Sequence, residues 1–463
     1  MKLQKTFIKY ITYPLIATAD GHSGLFRDLA LLEESQYWDR ERILELQVRK
    51  LKKLLIHAYE NTQFYKQRFN ECKFDPYSFQ SSEEMKRIPI LTKKDIQNHM
   101  NQMKAINFDE NEIHMSTSGG TTGFMTEFYR DNACLSPKEA SIMRFEKWAG
   151  WEFGEWMSLV WPATMDMHDK ITWKMKIRNF LSAREIKLAQ TVIEEKRMGD
   201  HLKQIRKHRA KIIRGFAMPV TELAKYAISH NITDLKLKGI VTTGESLYPA
   251  QRKIIEQAFR CPVFNSYRTR EVGPIAQECD QHKGFHLNAE NIYLETIPLE
   301  PKKVKKEDNP ENLEKLIVTD LLNYGMPFIR YEIGDLGRLS DKKCSCGRGL
   351  PLLEGVGGRM ADMVYTPDGR KIASITLIPN LVHILGLKNG VQLIQNDFDQ
   401  LLIKMTLPVP PDDILQKQRA NAFQIFGPDM KISYEFVNEI PSLKSGKYAF
   451  IICNIPKEKL RGI

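Results

Sequence analysis

Between Ser116 and Gly123 the chain packs three glycines and five small hydroxyl residues into eight positions, reading STSGGTTG. Such a segment suits a phosphate. Gly119, Gly120 and Gly123 leave no side chain between backbone amides and an anion, while Ser118, Thr121 and Thr122 can donate hydroxyl hydrogen bonds to its oxygens. A solvated polar loop has the same composition. No lysine follows the last glycine, so the Walker pattern is absent and a bound phosphate must find its cation elsewhere in the chain. A second group has the chemistry of a metal site: Cys279 and His286 in ECDQHKGFH, then Cys344 and Cys346 in CSCGR. Three thiols and an imidazole would close a tetrahedral zinc site with no open position, so the role would be structural. His282, at C-x-x-H spacing, is an alternative to His286, and a set of reduced thiols is the plainer reading.

The elements that must position these groups follow from periodicity. The first hundred residues read mainly as amphipathic helix, with Leu51, Leu54, Leu55, Ala58 and Tyr59 at helical spacing on one packing face. From Ile113 to about Leu339, apolar runs such as MSLVWPA, KIIRGFA and LKGIVTTG alternate with helical stretches such as PVTELAKYAISH and YPAQRKIIEQAF, which predicts an α/β sheet. The charged segment EPKKVKKEDNPENLEK interrupts this pattern as an exposed hairpin or loop. Beyond Asp362 the order is a VYTPDGRKI hairpin, helix ITLIPNLVHIL, strands VQLIQND and QLLIKMTLP, helix DDILQKQRANAFQIF and strand MKISYEFV. Two helices among several strands predict a small α+β domain of about 100 residues.

Composition sets wide bounds. A chain of 463 residues with 42% apolar content can bury a large core and hold two to four domains. The net charge of +11 is scattered, with clusters only at Arg49 to Lys53, Lys203 to Lys211 and Lys302 to Lys306, read as solvated faces. Positive charge favours anionic partners in general and does not by itself indicate nucleic acid. No uninterrupted apolar run is long enough for a spanning helix. Seven cysteines, an odd count in a large chain, speak against a disulfide framework.

Four further segments follow in order: TTGESL (Thr242 to Leu247), NSYRTREVG (Asn265 to Gly273), FIRYEIGDLGRL (Phe328 to Leu339) and GGRMADMV (Gly357 to Val364), with SLKSGKY (Ser442 to Tyr448) near the end. With ESQYWDRERILELQ, NTQFYKQRF and RIPILTKKDI upstream, this set resembles the adenylate-forming enzymes. The branch it resembles is that of phenylacetate-CoA ligases and CapK-type capsule-biosynthesis proteins. The resemblance implies a large adenylation domain, 1–361, whose first 100 residues are mainly helical, and a small mobile α+β domain, 362–463, hinged near Asp362. It also implies an AMP-forming acid–CoA ligase that uses ATP, Mg²⁺ and CoA, with phenylacetate-like aromatic acids as the first association.

Residue by residue, the resemblance assigns Ser118 to Gly123 to pyrophosphate, Gly244 and Glu245 to the loop bordering adenine, and Tyr267 to the adenine itself. Glu271 becomes the magnesium ligand, Asp335 the ribose-binding carboxylate, and Arg359 a further nucleotide contact. Lys447 corresponds to the lysine that the small domain delivers for the first half-reaction, and relatives share similar Cys/His positions. There are departures. Arg268 and Arg270 stand where a glycine and a small hydroxyl residue are usual, and could grip phosphate or carboxylate or else crowd the adenine pocket. Phe124 and Met125 follow Gly123 where relatives often have a polar residue and proline, and Ala361 replaces an acidic residue beside the hinge.

Trp148, Trp151, Trp156 and Trp161 could line an aromatic pocket, although tryptophans in such elements are mostly core. At the N-terminus, Lys2, Lys5 and Lys9 ahead of YITYPLIATA imitate a signal peptide, but the run is short and holds two Tyr, two Thr and a Pro. A cytoplasmic location is therefore expected for an ATP-dependent enzyme. Two other readings stay open: a CapK-type protein that activates or transfers an acyl or aminoacyl group for a cell-surface polysaccharide, and a non-catalytic adenylation fold that only binds. The expected partners are a small carboxylic acid and CoA or another acyl acceptor, without nucleic acid. Homodimer formation is left open.

Overall fold

The computed structural model describes residues 6–117, 127–161, 172–189, 195–298, 313–359, 363–368, 371–373, 391–406, 409, 412–440, 449, 451–456 and 459. Polar stop and start signals shape the helical first hundred residues. Asp39 caps helix Arg40–Asn61 by accepting from the Arg42 amide at 2.8 Å, and Thr62 serves two helices at once. Its hydroxyl donates to Ala58 O at 2.8 Å and accepts from the Tyr65 amide at 3.2 Å, opening helix Gln63–Glu71. Thr92 and Asp95 form a reciprocal capping box ahead of helix Lys93–Met103. Of the predicted stripe, Leu51, Leu54, Leu55 and Ala58 are fully buried in the largest core cluster, with Phe69, Phe79 and Phe328, and Tyr59 packs half-buried against it. Lys50, predicted on a solvated face, instead donates to Glu290 O at 2.6 Å, and burial lowers its ammonium below the usual lysine range.

Strands β1 (Ile113–Thr117) and β2 (Glu127–Asp131) pair antiparallel, with Thr117 opposite Glu127. They bracket the Gly/Ser/Thr segment, whose residues Ser118 to Gly123 lie outside the described residues. Strands β3 (Met157–Trp161), β4 (Glu185–Ala189), β5 (Ile212–Phe216), β6 (Gly239–Thr243) and β7 (Val263–Thr269) run parallel in the order β7-β6-β5-β3-β4. Helices Glu195–His208, Ala217–Ser229 and Pro249–Phe259 pack on one face of them, through residues such as Leu202, Leu223 and Ile255. Helices Leu25–Ser35 and Leu135–Trp148 cover the other face, through Leu29, Ala140 and Met143. The same sheet continues antiparallel through β8 (Gly273–Glu278), β9 (Phe285–Leu287), β10 (Ile292–Ile297), β11 (Glu314–Asp320), β12 (Tyr331–Ser340) and β13 (Leu352–Arg359). The order there is β7-β8-β9-β13-β12-β11-β10, which completes eleven strands.

Helix Leu135–Trp148 is anchored by Arg144, which lies 1% exposed and donates to Glu290, Asn288 Oδ1 and Leu32 O. The guanidinium thus ties two helices to the turn before β10.

Beyond the large sheet, β14 (Met363–Tyr365) and β15 (Lys371–Ala373) form the predicted hairpin. Strands β16 (Val391–Asp397), β17 (Gln400–Thr406), β18 (Lys431–Val437) and β19 (Ile451–Cys453) form a sheet of order β18-β17-β16-β19. Helix Asp412–Phe426 seals it through Ala422 and Phe426. The strand β19 escaped the sequence reading because only three residues pair there. The predicted helix ITLIPNLVHIL, most of the charged EPKKVKKEDNPENLEK segment, Asp362 and Lys447 lie outside the described residues. No helix among the described residues is long and apolar enough to cross a membrane.

Candidate active site

The strand-to-strand turn Arg270–Val272 presents Glu271. Strands β7 and β8 form a hairpin with Thr269 opposite Gly273, the Val272 amide donates to Thr269 Oγ1 at 3.3 Å, and Gly273 takes φ 88° to close the turn. Val272 is buried and anchors the turn, whereas Glu271 is half-buried and its carboxylate makes no hydrogen bond or ion pair among the described residues. Arg270 reaches from this turn to Thr117 O at 3.4 Å, and Arg130 on β2 donates to Arg270 O. The turn is thereby held at the point where β1 enters the Gly/Ser/Thr segment.

Tyr267 and Asp335, separated by 68 residues in sequence, meet at 2.6 Å, the phenol donating to Asp335 Oδ2. Two features aim Asp335. Gly334 before it adopts φ 87°, and the pairing of β12 with β13 slips between Asp335 and Leu336. A bulge of this kind re-aims a side chain out of the regular pleat. Arg359 stands opposite Asp335 in the β12–β13 register, so the backbone brings the RYEIGD and GGR motifs together.

At the end of β6, Thr242 is fully buried and its hydroxyl donates to Phe264 O at 3.5 Å. Gly244 follows at φ 77°, and a Cβ there would sit 2.6 Å from the Phe216 ring, so glycine is required. Glu245 accepts from the Met218 amide at 2.9 Å, which places its carboxylate on the N-terminus of helix Ala217–Ser229.

Alternation along the strands decides where the two unusual arginines go. Ile212 and Arg214 on β5, and Phe264, Ser266 and Arg268 on β7, share the face covered by helix Leu135–Trp148. Arg268 turns into this face, donating from Nε to Ser266 Oγ at 2.8 Å, and its buried Nη2 has no partner among the described residues. Glu139 and Glu146 from the helix, Glu185 from β4 and Arg214 complete a charge group in which Glu146 is buried and the others are half-buried; Arg214 pairs with Glu146 and lies 3.8 Å from Glu185. Burial raises the Glu139 and Glu146 carboxyls above the usual carboxylate range and, with Arg214 nearby, brings Arg268 down to about 10. Of these residues only Arg268 lies near the carboxyl end of a parallel strand, the place where open α/β sheets bind ligands; Arg214 is at the middle of β5 and Glu185 opens β4. Only Arg268 was singled out from sequence. Arg214 in the otherwise apolar run KIIRGFA was a signal that could have been read.

The Cys/His group is brought together as predicted. The ligand atoms of Cys279, His286, Cys344 and Cys346 all lie within 4.8 Å of one another, with Cys279 Sγ and Cys344 Sγ 3.6 Å apart and Cys346 Sγ 3.2 Å from His286 Nε2. A tetrahedral zinc thiolate has S···S edges of about 3.8 Å, so these side chains fit the ion. Nδ1 of His286 faces Leu350 O at 3.3 Å, leaving Nε2 for the cluster. Burial holds this imidazole down to about 4, in the neutral form that ligates metal, and pushes the Cys279 thiol up to about 12. His282 points elsewhere, 3.3 Å from Glu278.

The four tryptophans do not form one pocket. Trp148 packs against the His286 ring and Arg348 beside the cysteine cluster, Trp151 is buried in the core, Trp156 stacks on His208, and Trp161 meets Phe216.

Residues 364–454 match the CapK C-terminal domain family. The chain is similar to protein CapK of Staphylococcus aureus, 23% identical over 428 residues that cover 89% of this chain and 90% of the relative. It is also 25% identical to the phenylacetate-coenzyme A ligase of Thermus thermophilus over 336 residues, covering 70% of this chain and 72% of the relative. In three dimensions it is similar to 2-hydroxyisobutyryl-CoA ligase in its postadenylation state in complex with 2-HIB-AMP, with TM-score 0.70, 18% identity and 92% of each chain covered. The matched C-terminal domain and the full-length likeness, with the shared fold, together support an adenylate-forming protein of the CapK and phenylacetate-CoA ligase type.

Proposed function

We propose that this protein is an ATP-dependent, AMP-forming acid–CoA ligase. A carboxylate oxygen attacks the α-phosphorus of ATP, the α–β bridge breaks and pyrophosphate leaves. The CoA thiolate then attacks the acyl carbon of the adenylate and AMP departs. The observation that carries this reading is the convergence of the Glu271 turn on the strand entering the Gly/Ser/Thr segment, beside the 2.6 Å Tyr267–Asp335 pair. Tyr267 flanks the adenine, Asp335 and Arg359 hold the ribose side, and Gly244 with Glu245 shapes the adenine edge. Ser118, Gly119, Gly120, Thr121, Thr122 and Gly123 cradle the leaving pyrophosphate. Glu271, a carboxylate with no competing partner among the described residues, suits a hard divalent cation such as Mg²⁺, which would neutralise phosphate charge there. The chain is read as two domains, 1–361 and 362–463, that turn about Asp362, and the family match beginning at residue 364 supports this division.

The charge group around Arg268 favours a CapK-type variant of the reaction, in which the acid is a polar acyl or aminoacyl group rather than phenylacetate. An aromatic ring packed on this group would offer no acceptor to Arg268 Nη2, which has no partner among the described residues, and a buried donor left without one is costly. Acid-dependent pyrophosphate exchange over a panel of aromatic, fatty, hydroxy and amino acids tests both statements. Exchange with polar acids ahead of phenylacetate is expected. Nucleotide binding by calorimetry without exchange for any acid would instead identify a non-catalytic binding protein.

For the cysteine cluster we infer a structural zinc ion held by Cys279, His286, Cys344 and Cys346. It would staple the β8–β9 turn, just beyond the Glu271 hairpin, to the segment after β12 that carries Asp335. Elemental analysis is expected to find about one zinc per chain, and Cys344→Ser to lower both metal content and thermal stability. Metal-free protein of full stability would refute the site.

A further inference from the structure

From Phe7 to Ala19 the chain is helical, a π turn (Ile8–Thr12) running into an α-helix (Tyr13–Ala19). One side of it is docked: Ile8 and Ala17 are buried, and Tyr13 meets Phe26 and Phe153 edge-on. The other side carries Phe7, Tyr10, Ile11 and Leu15, exposed by between 47% and 68%. Helix Trp173–Leu181 has no buried residue at all, and Trp173, Met175, Ile177 and Phe180 are exposed by between 39% and 67%. The two segments lie side by side. Thr12 Oγ1 donates to Leu181 O at 2.6 Å, and Arg178 pairs with Asp20.

These two short segments thus hold eight of the seventeen large apolar side chains that are exposed among the described residues. At about half exposure each, eight such side chains present several hundred Å² of apolar surface, more than a soluble monomer ordinarily leaves uncovered. The charge within the two segments is positive, with Arg178 paired to Asp20 just beyond the first of them. Lys9, Lys174, Lys176 and Arg178 belong to the same segments, and no acidic residue occurs in 6–19 or 172–181. Trp, Tyr and Phe mixed with aliphatic residues and bordered by Lys and Arg is the chemistry of a helix lying in the plane of a bilayer surface. A second copy of the chain is a poorer occupant, because two such faces would oppose cation to cation.

We propose that this paired-helix face seats on the surface of an anionic lipid bilayer, as an in-plane contact with no spanning segment. The apolar side chains enter the headgroup and acyl boundary, while Lys9, Lys174 and Lys176 meet lipid phosphates. The nucleotide motifs contribute nothing to the face, so the contact is independent of the reaction assigned above.

Flotation of the full chain with vesicles tests it. Binding is expected to phosphatidylcholine vesicles containing phosphatidylglycerol, weakened by salt, and far less to phosphatidylcholine alone. With each lysine near an anionic surface worth about 1 kcal/mol, Lys174→Ala with Lys176→Ala should lower partitioning roughly 30-fold. Trp173→Ser with Ile177→Ser should remove most binding, and Trp173→Phe should reduce any lipid-induced blue shift of tryptophan emission. All of these positions are exposed, so circular dichroism and thermal unfolding should match the wild type and confirm that the variants fold. Wild-type protein that stays unbound with anionic vesicles would overturn the proposal. So would unchanged binding by the Trp173→Ser and Ile177→Ser protein, or a lipid-indifferent dimer that the same changes dissociate.

Discussion

Lys447→Ala is expected to slow acid-dependent adenylate formation roughly 100- to 1,000-fold, while acyl transfer from a synthetic acyl-adenylate stays within a few-fold of wild type. As the carboxylate attacks, negative charge builds on the leaving pyrophosphate and the in-line oxygens, and a nearby ammonium stabilises that arrangement. If the Gly/Ser/Thr segment binds phosphate as proposed, it lacks a lysine of its own and has to obtain this charge from elsewhere; SLKSGKY, beyond the hinge proposed at Asp362, is the candidate source. Rotation about the hinge could then withdraw Lys447 once the adenylate has formed, which is why the two half-reactions should part. The measurement is pyrophosphate exchange for the first step and thioester formation from the synthetic adenylate for the second. Equal losses in both, or a loss in neither, would show that the two-conformation mechanism does not hold here.

Glu271→Gln should lower magnesium-dependent pyrophosphate exchange roughly 100-fold with the melting temperature unchanged. The amide keeps the shape of the side chain and loses the charge that holds the cation. No stability change is expected because the carboxylate makes no hydrogen bond or ion pair among the described residues, and the turn is anchored by Val272 and Thr269 Oγ1 instead. Partial recovery at high magnesium would mark the defect as one of cation affinity. Wild-type exchange rates in the variant would remove Glu271 from the site.

Much was legible in the amino-acid order because it depends on near neighbours. Thr92 and Asp95 announce a helix start, the Leu51–Ala58 stripe announces a packed face, and alternating short apolar runs and helical stretches announce an α/β sheet. The set Cys279, His286, Cys344 and Cys346 could be chosen by ligand chemistry alone, and the chain does bring those four together. Arg268 and Arg270 could not be resolved in this way. Their residue type allows phosphate binding, carboxylate binding or crowding, and the choice depends on what covers each one.

The sequence by itself determined which residues could bind phosphate, ribose or metal, where helices and strands alternate, and the superfamily to which the motifs point. Only the tertiary structure decided that Arg270 ties the Glu271 turn to Thr117, that Arg268 turns inward to Ser266 and toward Glu139 and Glu146, and that Tyr267 meets Asp335. It also decided that Phe7, Tyr10, Ile11 and Leu15 face outward beside Trp173 and Ile177, where the sequence showed only an imitation of a signal peptide. The physical reason is the same in each case. Periodicity tells which side chains share a face of a strand or helix, but whether that face meets a core, a ligand or solvent is settled by elements 60 or more residues away that pack against it or leave it bare.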